Sequence, residues 1–131
     1  MSLQFSIKRS SKKITARGGL VLFSEFAEKF NTSGLVNKNM SKSLSNRGFQ
    51  CSDYVSTILL SLYGGGESIS DTKEIRDDTC LRNILNLKHV PSESAIGDWL
   101  KRMGERNGVK SLHKINDEII KNIIKRLRIN S

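Results

Sequence analysis

The stretch Leu112-His-Lys-Ile115-Asn-Asp-Glu-Ile-Ile120-Lys-Asn-Ile-Ile-Lys125-Arg-Leu-Arg128 decides the fold class. At 3.6 residues per turn, Ile115, Ile119, Ile120, Ile123, Ile124 and Leu127 fall within about half of a helix circumference. Lys114, Lys121, Lys125 and Arg128 project from the other side. This is an amphipathic helix of four to five turns, and a helix that apolar needs other helices to cover it.

The segments upstream supply them. Pro91-Ser92 opens a helix carrying Ile96, Trp99, Leu100 and Met103, with Gly104 and Gly108 as punctuation after it. Asp71-Thr72-Lys73-Glu74 reads as a capping box that starts a short helix, followed by a further turn through Leu81, Ile84 and Leu85. Ser52 or Asp53 caps a central helix whose Tyr54, Val55, Ile58, Leu59 and Leu62 make a wide apolar face, and Gly64-Gly65-Gly66 stops it. Gly18-Gly19 opens another with Leu20, Phe23, Phe26, Ala27 and Phe30 on one side, ended within Asn31–Gly34. A weaker helical stretch runs from Leu35 to about Leu44 and breaks at Asn46-Arg47-Gly48.

Near the N-terminus the period changes. Leu3, Phe5 and Ile7 alternate with Gln4, Ser6 and Lys8, which predicts a short strand over 3–8. The expected architecture is mainly α: five to seven helices in a small bundle with one short N-terminal strand. A basic strand and arm cover 1–17, and a helical region covers 18–131.

Composition excludes several classes. Only eight of the 131 residues are aromatic and one is proline, which disfavours a turn-rich sandwich or barrel. No apolar run approaches the roughly 20 residues of a membrane span. Two lone cysteines suit a reducing compartment, so a cytoplasmic protein is expected.

Lys and Arg total 22 against 13 Asp and Glu, a net charge of +9 that favours an anionic partner, above all nucleic acid. The surplus sits at the two ends: +7 in residues 1–50, −1 in 51–110 and +3 in 111–131. Lys8, Arg9, Lys12, Lys13 and Arg17 form a run without any acid that can track a phosphate backbone and release counterions. A solvated arm is the plain alternative.

Other candidate chemistry is weaker. Asp71, Glu74 and Asp78 share a face at helical spacing, with Asp77 beside them, and three carboxylates can hold Mg²⁺. Capping and helix-dipole roles account for Asp71 and Glu74 equally well. Cys51, Cys80, His89 and His113 lack the close pairing by which a loop wraps zinc. Glu67 follows the triple glycine, where a phosphate loop needs Lys and Ser or Thr. No nucleophilic triad can be assembled.

The segments 78–86 and 91–103 together fit a helix-turn-helix. In that arrangement Ser94, Asp98, Lys101 and Arg102 are the exposed set, Ser94 toward base edges and Lys101 and Arg102 toward phosphate. Asp98 opposes such a role.

The ordered motifs carry a resemblance. Leu3-Gln-Phe-Ser-Ile7 followed by Thr15-Ala-Arg-Gly-Gly-Leu-Val-Leu-Phe23 resembles the start of bacterial insertion-sequence DDE transposases of the transposase DDE domain group 1 type. Tyr63-Gly-Gly-Gly-Glu-Ser-Ile-Ser-Asp-Thr-Lys-Glu-Ile-Arg-Asp-Asp78 is similar to that family's glycine-rich stretch. Pro91-Ser-Glu-Ser-Ala-Ile-Gly-Asp-Trp-Leu100 is similar to its proline-serine helix, and Lys114-Ile-Asn-Asp-Glu-Ile-Ile120 to the helix leading into its catalytic core.

The resemblance implies cut-and-paste DNA transposition by three carboxylates and divalent metal on a ribonuclease-H-like sheet. It places the first catalytic Asp after the last helix, so no residue here inherits a catalytic role and no cofactor is expected in this chain. The expectation is a DNA-interacting N-terminal transposase region, catalytically incomplete and non-enzymatic as it stands, that contacts transposon ends. Its other expected partner, through the 112–128 helix, is a catalytic domain or a second copy. The alternatives are a helical interaction or dimerisation module and a free-standing helix-turn-helix regulator.

Overall fold

The computed structural model describes residues 18–40 and 48–129, and within them the chain forms seven α-helices and no strand. The helices are α1 (Gly19–Lys29), α2 (Thr32–Asn39), α3 (Cys51–Tyr63), α4 (Lys73–Asp77), α5 (Thr79–Ile84), α6 (Glu93–Glu105) and α7 (Gly108–Ile129). A 3₁₀ turn at Ile69–Thr72 runs directly into α4. The predicted strand at 3–8, the basic run Lys8–Arg17 and the stretch 41–47 lie outside the described residues.

The ends of these helices follow from single residues. Gly65 (φ +94°), Asn31 (+55°), Asn86 (+55°) and Asn107 (+59°) all sit in the left-handed region just past a helix, where glycine and asparagine carry the least steric penalty. After α3, Gly66 N–H donates to the Ser61 carbonyl at 2.8 Å and Gly65 N–H to the Leu62 carbonyl at 3.2 Å. That double return satisfies two carbonyls that the helix leaves orphaned. Asn86 and Leu87 repeat it on Asn83 and Arg82 at 3.3 and 2.8 Å.

Several boundaries differ from expectation. α2 starts at Thr32, three residues early, because Asn31 alone makes the turn. Gly104 lies inside α6, and α7 begins at Gly108 because Asn107 reverses the chain. A Cβ on Gly108 would come within 2.7 Å of the Met103 carbonyl, so the glycine permits the close passage of α6 into α7.

The N-cap of α3 is Gln50, not Ser52 or Asp53: the Gln50 N–H donates to the Asp53 carboxylate at 2.8 Å. The orphan Ser52 amide is met from outside the helix, by the Asn37 side chain of α2 at 3.0 Å. Likewise the predicted box at Asp71–Glu74 is displaced. Asp71 closes a turn that starts at Ser68, accepting from the amides of Glu67 and Ser68 at 2.7 and 3.0 Å.

Two apolar clusters meet on either side of α3. The larger joins Val36, Met40, Cys51, Tyr54, Ala95, Ile96, Trp99, Met103 and Ile115, so α2, α3, α6 and α7 share it. The Tyr54 and Trp99 rings stack at 5.0 Å with 4° between their planes, 1% and 3% exposed. The smaller joins Leu20, Leu60, Ile75 and Leu81 from α1, α3, α4 and α5. The buried face of α3 is therefore Tyr54, Thr57, Leu60 and Ser61, rotated from the expected one, and Leu62 is 58% exposed. Thr57 is accommodated because its hydroxyl donates to the Asp53 carbonyl at 2.8 Å.

Candidate nucleic-acid interface

The cations of the described chain divide into those that hold structure and those that face outward. Arg76 donates from one nitrogen to the Thr72 hydroxyl at 2.7 Å and to the Pro91 carbonyl at 2.9 Å. Arg82 donates to the carbonyls of Leu87, Lys88 and Arg76 at 3.3, 2.9 and 3.2 Å. A guanidinium carries five donors in a fixed fork, which is why Arg rather than Lys fixes these loop carbonyls. The two side chains lash the connector 85–92 to α4 and α5. Sequence pattern offered no sign of this, since the acceptors are backbone.

That connector bears on the expected helix-turn-helix. The two helices exist as α5 and α6, but eight residues separate them where the motif uses three or four. α5 itself spans only six residues.

On α6, Ser92 is the N-cap, accepting from the Ala95 amide at 3.2 Å. Ser94 is exposed with its hydroxyl 3.3 Å from that of Ser92, and Lys101 is exposed on the same face. Arg102 is half-buried on the flank. Asp98 and Glu105 occupy the outward face between and beyond Ser94 and Lys101, so this surface presents two carboxylates with one ammonium. The three α6 candidates thus do not assemble into a cationic patch by themselves. The five arm candidates, Lys8, Arg9, Lys12, Lys13 and Arg17, lie outside the described residues.

The coherent cationic surface is on α7. This helix has 22 residues, about 33 Å at 1.5 Å each. Lys110, Lys114, Lys121, Lys125 and Arg128 are exposed and fall within about a quarter of its circumference. Asp117 and Glu118 border the same sector and offset part of its charge. Lys121, Lys125 and Arg128 line an open recess of about 390 Å³ whose fourth wall is Ile124. Arg126 is the exception: it turns back to Phe30, its guanidinium carbon 5.3 Å from the ring centroid, and donates to the Lys29 carbonyl at 3.3 Å. Charge is segregated across the fold as well. Residues 101–129 hold nine basic and three acidic side chains, whereas the other described residues hold six and ten.

The acidic group does not converge. Asp71 lies in the 3₁₀ turn, Glu74 in α4, and Asp78 between helices, where it accepts from the Leu81 amide at 2.9 Å as the N-cap of α5. The shared helical face expected from their spacing is lost because α4 ends at Asp77, whose carboxylate is 3.9 Å from the Lys73 ammonium. The amides of Glu67 and then Ser68 pull the Asp71 carboxyl below its ordinary value. Among the described residues, no three His, Cys, Asp or Glu side chains are grouped to hold a metal ion. Neither Cys51 nor Cys80 is in a disulfide, and Cys51 is buried in the larger cluster.

Comparison with known proteins returned no matching family model, curated sequence or solved structure. Among the described residues, no helix is long and apolar enough to cross a membrane.

Proposed function

We propose that the chain is a DNA-engaging helical module, the N-terminal region of a DDE transposase that the ordered sequence motifs resemble. The family part of this reading stands on those motifs. The DNA part is carried by one observation, the row of exposed cations along α7, reinforced in sequence by the acid-free arm at 8–17. From Lys110 to Arg128 the row spans about 27 Å, a length over which one DNA strand passes roughly eight phosphates.

Binding in this mode neutralises backbone phosphate, positions the duplex and carries little sequence preference of its own. Base contacts from Ser94 with phosphate contacts from Lys101 and Arg102 belong to the same proposal at the edge of the interface. The chain would act by holding DNA for chemistry performed by a carboxylate-bearing domain with divalent metal, and by no catalysis of its own.

The test is a fluorescence anisotropy titration of the full chain with duplex DNA at several salt concentrations. About 5 phosphate contacts give a log–log slope of affinity against salt near −4 to −5. Absence of binding at low salt would end this reading.

A second reading, a protein-interaction module, is favoured by a different observation. Ile120, Ile124 and Leu127 of α7 are 45%, 44% and 65% exposed, and Val109 and Leu112 near its start are 65% and 48% exposed.

A further inference from the structure

α7 carries two apolar stripes, and only one of them is covered. Ile115 and Ile119 face the larger cluster, where Ile115 is 4% exposed. About a quarter-turn away, Val109, Leu112, Asn116, Ile120, Ile123 and Leu127 follow one another at spacings of three and four residues. The two ends of this second stripe differ in shape. Val109 and Leu112 form one wall of an apolar groove of about 330 Å³, whose far wall is Val55, Ile58 and Leu59 of α3 with Leu100 of α6. None of the residues lining that groove lies beyond Leu112. At the other end Ile120 and Leu127, with Ile124 at their edge, stand out as a ridge, 45%, 65% and 44% exposed.

We infer that two copies of the chain pair through this stripe as an antiparallel, two-fold dimer, the ridge of each α7 seated in the groove of the other. Shape is the first reason. Groove and ridge lie about 18 Å apart along one straight helix. Turning a second copy end for end, with Val109 opposite the partner's Leu127, brings ridge to groove at both ends at once, the isologous match that closes a two-fold. A foreign helix has to supply a groove for the ridge as well as a ridge for the groove, whereas a second copy carries both. Asn116, the polar residue of the stripe, then lies about 3 Å along the axis from the two-fold, beside its own equivalent, where the two amides can hydrogen-bond to each other.

Charge is the second reason. Lys110, Lys114, Lys121, Lys125 and Arg128 lie roughly a third to half of a turn round α7 from the middle of the stripe. Pairing therefore leaves these cations on the outside of the dimer, and like charges do not meet across the apolar seam. Area is the third. The exposed parts of Leu100, Val109, Leu112, Ile120, Ile124 and Leu127, with the half-buried groove wall, amount to roughly 600 Å² of apolar surface per copy. That is the upper end of what a monomer ordinarily leaves uncovered, and with a polar rim it approaches the about 800 Å² that each partner gives to a standard interface.

Such a dimer makes the protein-interaction reading specific and rests on it, not on the DNA one. Sedimentation equilibrium of the full chain from micromolar to millimolar concentration should show a concentration-dependent doubling of mass. Because each copy carries +9, the association should hold or tighten as salt is raised. Ile120→Asp with Leu127→Asp, at exposed positions, should weaken it at least about a hundredfold with the helical circular dichroism unchanged. Orientation is read by disulfides, with Cys80 replaced by Ser. Val109→Cys mixed with Leu127→Cys should form a cross-linked pair. Neither variant should link to itself, because antiparallel pairing holds identical positions about 27 Å apart. Links within each single variant overturn the antiparallel arrangement. A dimer that high salt dissolves, or that the paired Asp variant leaves intact, overturns the apolar seam. A chain that stays monomeric throughout overturns the dimer, and a Leu-faced helical peptide then separates the two readings. Its binding leaves an interaction module with a different partner, and its failure to bind ends that reading as well.

Discussion

Arg126 lies over Phe30, its guanidinium carbon 5.3 Å from the ring centroid, and donates to the carbonyl of the adjacent Lys29. Ninety-seven positions separate donor and acceptor, so this contact ties the distal half of α7 to the C-terminus of α1. Arg126→Ala should cost about 1 kcal/mol, the sum of a surface cation–π contact and a hydrogen bond to a carbonyl. Thermal unfolding reads that loss. Arg126→Ala should alter DNA affinity less than Lys121→Ala, because this guanidinium already has its partners.

Lys121 and Lys125 face solvent beside Arg128. Each changed to Ala should reduce the salt slope of DNA binding by about 1, uniformly across duplex sequences. An unchanged slope in the double variant would place the phosphate contacts elsewhere.

Trp99 stacks on Tyr54 at the centre of the larger cluster. Trp99→Ala leaves a cavity lined by α2, α3, α6 and α7 side chains and should cost about 3–5 kcal/mol. Urea unfolding followed by circular dichroism should show a lower midpoint at the same slope. Trp99→Phe keeps the stack and should cost less than half of that. A similar loss for both would mean that the ring contact itself contributes little.

Asp71 has a depressed carboxyl value because the amides of Glu67 and Ser68 donate to its charged form. A lowered folded-state value means that the folded chain binds the proton less readily than the unfolded chain. The resulting stability is complete above the unfolded value of about 4 and disappears as pH falls through the folded one. Asp71→Asn should remove this acid-side dependence and leave the variant less stable at pH 7. Parallel stability curves for the two proteins between pH 5 and pH 2 would contradict the assignment.

Gly65 and Asn86 terminate α3 and α5 in left-handed geometry. Gly65→Ala should cost about 1 kcal/mol, and Asn86→Gly should be neutral or slightly stabilising. Thermal melts distinguish them, since both replacements are small and only one conflicts with its φ.

The helices were readable from sequence because each needs an apolar face and a stop, and both leave marks in the residue order. The run Ile115–Leu127 declared α7, Pro91-Ser92 declared the start of α6, and Gly64-Gly65-Gly66 declared the end of α3. Caps were less legible. Ser52 has the right side chain to cap α3, yet the task falls to Gln50 and to Asn37 from another helix, a long-range pairing that no local pattern encodes.

Sequence by itself determined that the chain is helical, where its cations concentrate, and which face of α7 is apolar, since these depend on local order and a fixed 100° per residue. Tertiary structure alone decided which half of that apolar face is covered. Docking of α7 against α2 and α6 buries Ile115 and leaves Ile120, Ile124 and Leu127 outside, because a straight helix can press only one stripe against its neighbours. It also separated cations of identical charge by role: Arg76, Arg82 and Arg126 found carbonyl partners within reach, whereas Lys114, Lys121 and Lys125 face solvent.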